Sequence, residues 1–206
     1  MTRFLLFAAL LAGSSMFAGC SGVSVNAGEE AVLVAKPIIF GHGGVDPTPI
    51  QTGQAYVALT TDAIIFQITP VREDEEFDDI ITKDNVAVDF HAYLTRRIIP
   101  GKTPLLLDKF GEKWYYNNIQ QEFRTEVRKE ASNYGMMELA TRTAALDTLE
   151  RNIFLKLNHF IQSKGIPVEI MGVQIGKATP NEGVMKAMNE TAENQQRQKT
   201  EVEKGK

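Results

Sequence analysis

The chain is poor in the residues from which most small catalytic and cross-linked sites are built. It has one cysteine, one tryptophan and three histidines in 206 residues. A single cysteine excludes an internal disulfide, and no CxxC pair is available for zinc or redox work. No HExxH, GxSxG or Walker spacing occurs, so metal-assisted, serine-nucleophile and phosphate-loop chemistry have no motif to rest on. His42, His91 and His159 lie far apart, in a glycine loop, on a predicted strand and on a predicted helix. Basic excess is also missing: the net charge is −4, and lysines and arginines alternate with acids. That argues against nucleic acid. No internal repeat is visible. The sequence therefore predicts no catalytic residue, no metal and no cofactor.

What is present begins at the N-terminus. Arg3 precedes an apolar run from Phe4 to Leu11, and a small-residue zone, "AGSSMFAGC", follows. This is the three-part layout of a secretory signal, and the run is shorter than the roughly 20 residues of a spanning helix. The rival reading is an uncleaved anchor reaching Ala18, although Gly13, Ser14 and Ser15 interrupt it. The residues "FAG" before Cys20 resemble the bacterial lipobox, with Phe17 where leucine is usual. Cys20 is accordingly the predicted lipidation site. Ser21 after it weakly favours outer-membrane sorting by resemblance to Gram-negative lipoproteins. The expected layout is a signal at 1–19, a lipidated N-terminus and linker at 20–27, a domain at 28–178, and a C-terminal helix at 179–206.

Within the domain the period of apolar residues changes once. "EAVLVAKPIIFG", "QAYVAL" and "DAIIFQI" read as strands, and "GHGGVDPTP" as a loop. The acidic run from Glu73 to Asp79 reads as a solvated turn; as a cation loop it lacks alternating oxygen ligands and a central glycine. "NVAVDFHAYLT" alternates strictly, with Val86, Val88, Phe90, Ala92 and Leu94 on one face and Asp89, His91, Tyr93 and Thr95 on the other. His91 either pairs with an acid across the sheet or sits on a solvated face. Helical spacing then takes over. Tyr116, Ile119, Phe123, Val127, Ala131 and Tyr134 form one stripe, which Gly135 ends. A second stripe follows with Leu139, Thr143, Leu146, Leu149, Ile153, Leu157, Phe160 and Ile161, which Gly165 ends. "IPVEIMGVQIG" returns to strand, and Pro180 opens a last polar helix. Strands first and helices second predict an α+β fold, with a mainly antiparallel sheet, two amphipathic helices on one face and a protruding C-terminal helix. In that last helix Val184, Met185 and Met188 offer the apolar seam for oligomer or partner contact.

Several of these segments, in this order, resemble the SPFH or band 7 domain shared by stomatins, prohibitins and flotillins. The carriers are the Thr82-Lys83-Asp84 turn before the alternating strand, and Gly165, Ile175, Gly176 and Pro180 around the last strand. "VNAGEEAVLV", with Gly28 and Glu29 at its start, matches the opening strand. The resemblance implies a membrane-anchored, self-associating, non-enzymatic scaffold that organises membrane proteins or modulates a membrane protease. Its expected partners are membrane lipid through acylated Cys20, further copies of itself, and a membrane protease or other membrane protein. The place implied is the bacterial cell envelope, facing the periplasm or the cell exterior. The loop "GHGGVDPTPIQTGQ" is polar where such proteins usually carry a membrane-dipping segment. A helix over 182–203 would be only about 33 Å long, short for the family's coiled coil. A monomeric envelope lipoprotein that binds a partner or ligand without assembling is the alternative.

Overall fold

The computed structural model describes residues 20–37, 41–141, 143–180 and 182–187, together with 190 and 197. The fold is α+β, and the stretch 28–178, expected as one domain, contributes to two compact units. Among the described residues, one unit holds those up to Thr69 and again Ile98–Trp114; the other holds Pro70–Arg97 and those from Tyr115 onward.

The first unit is built on two small antiparallel sheets. Strand β1 (Cys20–Val25) begins it. Its residues were expected as a linker because they are small and polar, yet small residues also fill an exposed strand face. Strand β2 (Glu29–Ala35) is the middle of a three-stranded sheet between β3 (Gly44–Val45) and a later strand. Strand β4 (Gly53–Ala58) pairs with β1, and β5 (Thr61–Gln67) pairs with β2. Ala31 and Val32 of β2 are fully buried. Gly28 turns β1 into β2 at φ 84°, and a Cβ there would meet Thr69 Cγ2 at 2.6 Å, so the turn requires glycine twice over.

The sequence reading passed over the element that closes this unit, helix α1 (Thr103–Phe110). Eight residues with a proline near the start are too few to show a period. The turn that leads into the helix, and the side chain of its first residue, are held from β2. The fully buried carboxylate of Glu30 accepts from Gly101 N–H and from the Thr103 hydroxyl, both at 2.7 Å. An acid at that end also suits the helix dipole.

The second unit is a four-stranded sheet with helices against it. Strand β6 (Val71–Ile81) pairs antiparallel with β7 (Ala87–Ile98), which is flanked by β8 (Val168–Ile175) and paired further along with β9 (Thr179–Pro180). The acidic run lies inside β6 and is no turn. Its charges alternate with its register, so that Glu75 and Phe77 are buried while Asp74, Glu76 and Asp78 are exposed. A register shift between Phe77 and Ile80 is absorbed at Asp79, whose φ is 53°. The predicted alternation of β7 holds: Val88, Phe90, Ala92 and Leu94 are buried.

The two expected helices are four segments. A π-turn (Tyr115–Ile119) leads into α2 (Gln120–Ala131), and α3 (Met136–Thr141) precedes α4 (Thr143–Lys164). The π-turn explains one misplaced residue. At helical spacing Tyr116 should share the inner face with Ile119; in the wider i→i+5 turn residues four apart share it, so Tyr115 is buried and Tyr116 exposed. Ile119, Phe123, Val127 and Ala131 then form the buried stripe, and Leu149, Ile153, Leu157 and Ile161 do the same on α4. Phe77 stacks on Phe90 at 5.4 Å and meets Phe123 edge-on at 6.5 Å, which joins sheet to helix. Gly165 ends α4 at φ 64°: its N–H reaches Gln162 O and that of Ile166 reaches Ile161 O, both at 3.1 Å. This is the Schellman arrangement. Gly135 instead starts α3, as described next. Residues 182–187 are helical and begin the C-terminal helix. Pro180 itself belongs to β9.

Candidate functional site: the N-terminal ribbon and the signature turn

Three places hold the residues singled out from the sequence. The first is the ribbon of β1 and β4. Cys20 is the first residue of β1, and its register partner is Ala58. The 1–19 segment expected as a signal lies outside the described residues.

The second place is the Thr82-Lys83-Asp84 turn between β6 and β7. Thr82 N–H donates to Val86 O at 3.0 Å and Asn85 N–H to Thr82 O at 3.0 Å, with Asn85 at φ 58°. The Thr82 hydroxyl reaches both the Asp84 carboxylate and Val86 O, and it accepts from Val86 N–H at 3.2 Å. So oriented, both Asp84 oxygens accept from Met136 N–H, the first residue of α3, at 3.1 and 3.2 Å. Glu138 accepts from Gly135 N–H at 3.1 Å. This is a capping box with a change of supplier. Gly135 sits at the N-cap without a side chain, and Asp84 provides the capping oxygen from 52 residues away. A Cβ on Gly135 would stand 3.3 Å from Asp84 Oδ2. The Thr82 hydroxyl first, and the Met136 N–H after it, hold the Asp84 carboxyl below its usual value. Lys83 N–H also donates to Tyr134 O at 2.9 Å. The turn is a clasp between a hairpin and a helix.

The far end of β8 has a matching fastening. Ile175 N–H donates to the half-buried carboxylate of Glu150 on α4 at 2.7 Å, and burial raises that carboxyl's pKa. Gly176 N–H donates to His91 O at 2.7 Å, and a Cβ on Gly176 would approach that oxygen to 3.1 Å. Glycine is what allows β8 to come so near β7.

Sequence reasoning missed the third place, a polar cluster on the inner side of β6. The buried Glu75 accepts from Arg124 at 2.7 Å, Gln120 at 2.8 Å and the Tyr115 hydroxyl at 3.1 Å. Glu73 pairs with Arg96, whose guanidinium lies 5.1 Å from the Tyr115 ring centroid. Burial, then the charges of Glu75 and Glu73, push the Tyr115 phenol far above its ordinary range. Every partner of Glu75 here is 40 or more residues away, so no local pattern could have found the group. Each oxygen of Glu75 is already engaged, which makes the cluster a joint between β6 and α2.

On the outer face of the same hairpin His91 Nδ1 lies 2.9 Å from Asp74 Oδ1, stacks beside Tyr93, and has its pKa raised chiefly by that hydrogen bond. Arg72 covers Tyr93 at 3.8 Å. His91 thus satisfies both sequence readings, being solvated and paired with an acid. In the C-terminal helix Val184 is half-buried and Met185 is 48% exposed, while Met188 lies outside the described residues. No helix among the described residues is long and apolar enough to cross a membrane.

A family model described as SPFH domain / Band 7 family matches residues 23–206. No curated protein matches the chain.

Proposed function

The chain belongs to the SPFH domain / Band 7 family, whose members are generally membrane-associated, oligomerising scaffolds without enzymatic activity, and from that premise we infer that this protein is a lipid-anchored scaffold of the bacterial cell envelope. Acylated Cys20 is its membrane attachment. It self-associates, with Val184, Met185 and Met188 as contacts from the C-terminal helix, and it organises membrane proteins or modulates a membrane protease. It faces the periplasm or the cell exterior.

The observation that carries this reading is the family match starting at residue 23, three residues after a cysteine preceded by a signal-like segment. Two or more acyl chains hold a protein on a bilayer where one would not. Native residues 1–206 should therefore be expressed in a bacterium and extracted from its membranes. The expected mass is that of Cys20–Lys206 plus two or three acyl chains, and the expected sedimentation is well above the monomer. Deleting Asn181–Lys206 should lower the assembly size. An intact Met1 would overturn the anchor. A monomer before and after deletion would overturn self-association and leave the monomeric binding lipoprotein.

A further inference from the structure

An antiparallel pair keeps register partners on one face and alternates faces along each strand. In the β1–β4 ribbon, positions 21, 23 and 25 therefore share a face with Val57, Ala55 and Gly53. That face is the inner one, since Val25 and Val57 are buried. Positions 22 and 24 share the other with Tyr56 and Gln54, and the backbone partner of Cys20 is Ala58. On this outer face Tyr56 is 81% exposed, and Leu59 in the turn after β4 is 69% exposed. Gly22 opposite keeps the face low, and a Cβ on it would touch the Tyr56 ring at 4.0 Å. The outer face is graded, with Ala58, Tyr56 and Leu59 at the Cys20 end and Gln54, Ser24 and the Asn26 turn at the other.

Scattered exposed apolar residues are ordinary on a protein surface. These differ in where they stand, beside Ala58, the register partner of Cys20. We propose that the Cys20 end of this ribbon, with Tyr56 and Leu59, rests in the headgroup layer of the bilayer. The proposal rests on Cys20 being the anchor and identifies which part of the fold meets the lipid. The strand starts at Cys20 itself, so no slack separates the attachment point from the ribbon. Ala58 is about 5 Å from Cys20 across the pair, and Leu59 is the next residue. Both therefore stand at the level of the attachment point, where interfacial groups lie. Gln54, four residues back along β4, is about 13 Å higher. Tyrosine is suited to this level, having an apolar ring and a hydroxyl that stays wet. The charges beside the turn cancel, because Lys36, whose N–H bonds Thr60 O at 2.7 Å, pairs with Asp62. The contact therefore needs no anionic lipid.

Acylation consumes the chain's only thiol, so Leu59→Cys, Tyr56→Cys and Gln54→Cys each carry a single labelling site. Each acylated variant is spin-labelled in neutral phosphatidylcholine vesicles. Collision with membrane-dissolved oxygen is compared with collision with an aqueous nickel chelate. Labels at 59 and 56 should favour oxygen severalfold over the label at 54. Labels at 59 and 56 that both favour the chelate overturn the proposal. Labels shielded from both reagents would show a second copy on this face, and overturn it equally. The mass of each sample before labelling tests the anchor separately. If acyl groups are missing, the same labels are read with Cys20→Ser added so that one thiol remains; labels at 59 and 56 that still meet lipid then mean that the anchor reading fails and this contact stands.

Discussion

Removing the carboxylate of Asp84 should weaken the second unit by an amount its geometry sets. Asp84→Ala takes from α3 the acceptor that both Asp84 oxygens give to Met136 N–H, and it strips the Thr82 hydroxyl of one partner. Loss of an N-cap side chain costs about 0.5–2 kcal/mol. Asp84 is exposed to water, so the charged character adds little. The expected loss is about 1–2 kcal/mol, which at a urea slope of about 2 kcal/mol/M lowers the midpoint by about 0.5–1 M. Asp84→Asn keeps an acceptor without the charge and should lose about half as much. The pH dependence has a definite sign. Because the folded carboxyl titrates below its ordinary 3.8, its contribution is complete above that pH and disappears as pH falls through the lower folded value. The gap between wild type and Asp84→Asn should thus be constant from pH 5 to 8 and narrow below about pH 4. Gly135→Ala supplies an internal control. In the wild type its Cβ crowds Asp84 Oδ2 at 3.3 Å and should destabilise. In the Asp84→Ala background the crowding is gone, and alanine should cost clearly less, its residual N-cap penalty being offset by a gain through the unfolded chain. An equal loss for Gly135→Ala in both backgrounds, or a midpoint unmoved by Asp84→Ala, would refute the clasp.

Three further outcomes follow from the hairpin and the π-turn packed on it. Glu75→Ala leaves Arg124, Gln120 and Tyr115 without their acceptor and should cost about 3 kcal/mol in thermal or urea unfolding. The Tyr115 phenol, raised by burial, keeps its proton while the unfolded chain loses one near pH 10. Stability should therefore fall above that pH, and Tyr115→Phe should leave the native 295 nm titration amplitude up to pH 11 unchanged. On the outer face Asp74→Asn should return the His91 pKa toward its ordinary 6.5, read by NMR of the ring protons. The His91–Asp74 contribution is present below that value and fades as pH rises through the higher folded one.

Which of these features a reader of the sequence could see depends on how local their causes are. The β7 alternation, the α4 stripe and the Gly165 stop each arise within a few residues, and all three were readable. The acidic stretch in β6 was misread because two of its charges are satisfied from elsewhere, Glu73 by Arg96 and Glu75 by α2. Without those partners, alternation among acids looks like a repelling turn. Gly135 was seen as punctuation but assigned to the wrong helix, since the carboxylate that makes it a start is on another hairpin. Helix α1 was invisible for the same reason, the carboxylate that holds its leading turn and Thr103 being Glu30 on β2. At the N-terminus Cys20 stood out from its neighbours, whereas Tyr56 and Leu59 acquired meaning only through the β1–β4 register.

The first unit is discontinuous in the chain, because Pro70–Arg97 is inserted between its two segments. The insertion is itself a hairpin in which Val71 and Arg96 are register partners, so it returns the chain close to where it left. Shortening the loop between Glu30 and Gly101 in this way lowers the entropy of closure by well under about 1 kcal/mol. The consequence lies in sequence of events more than in stability. A hairpin zips in about 1–10 μs from neighbours in the chain, whereas the bonds from Glu30 to Gly101 and Thr103 must wait for residues more than 70 positions apart. The hairpin that carries the acidic strand can thus be set early, before the Glu30 bonds close the N-terminal unit.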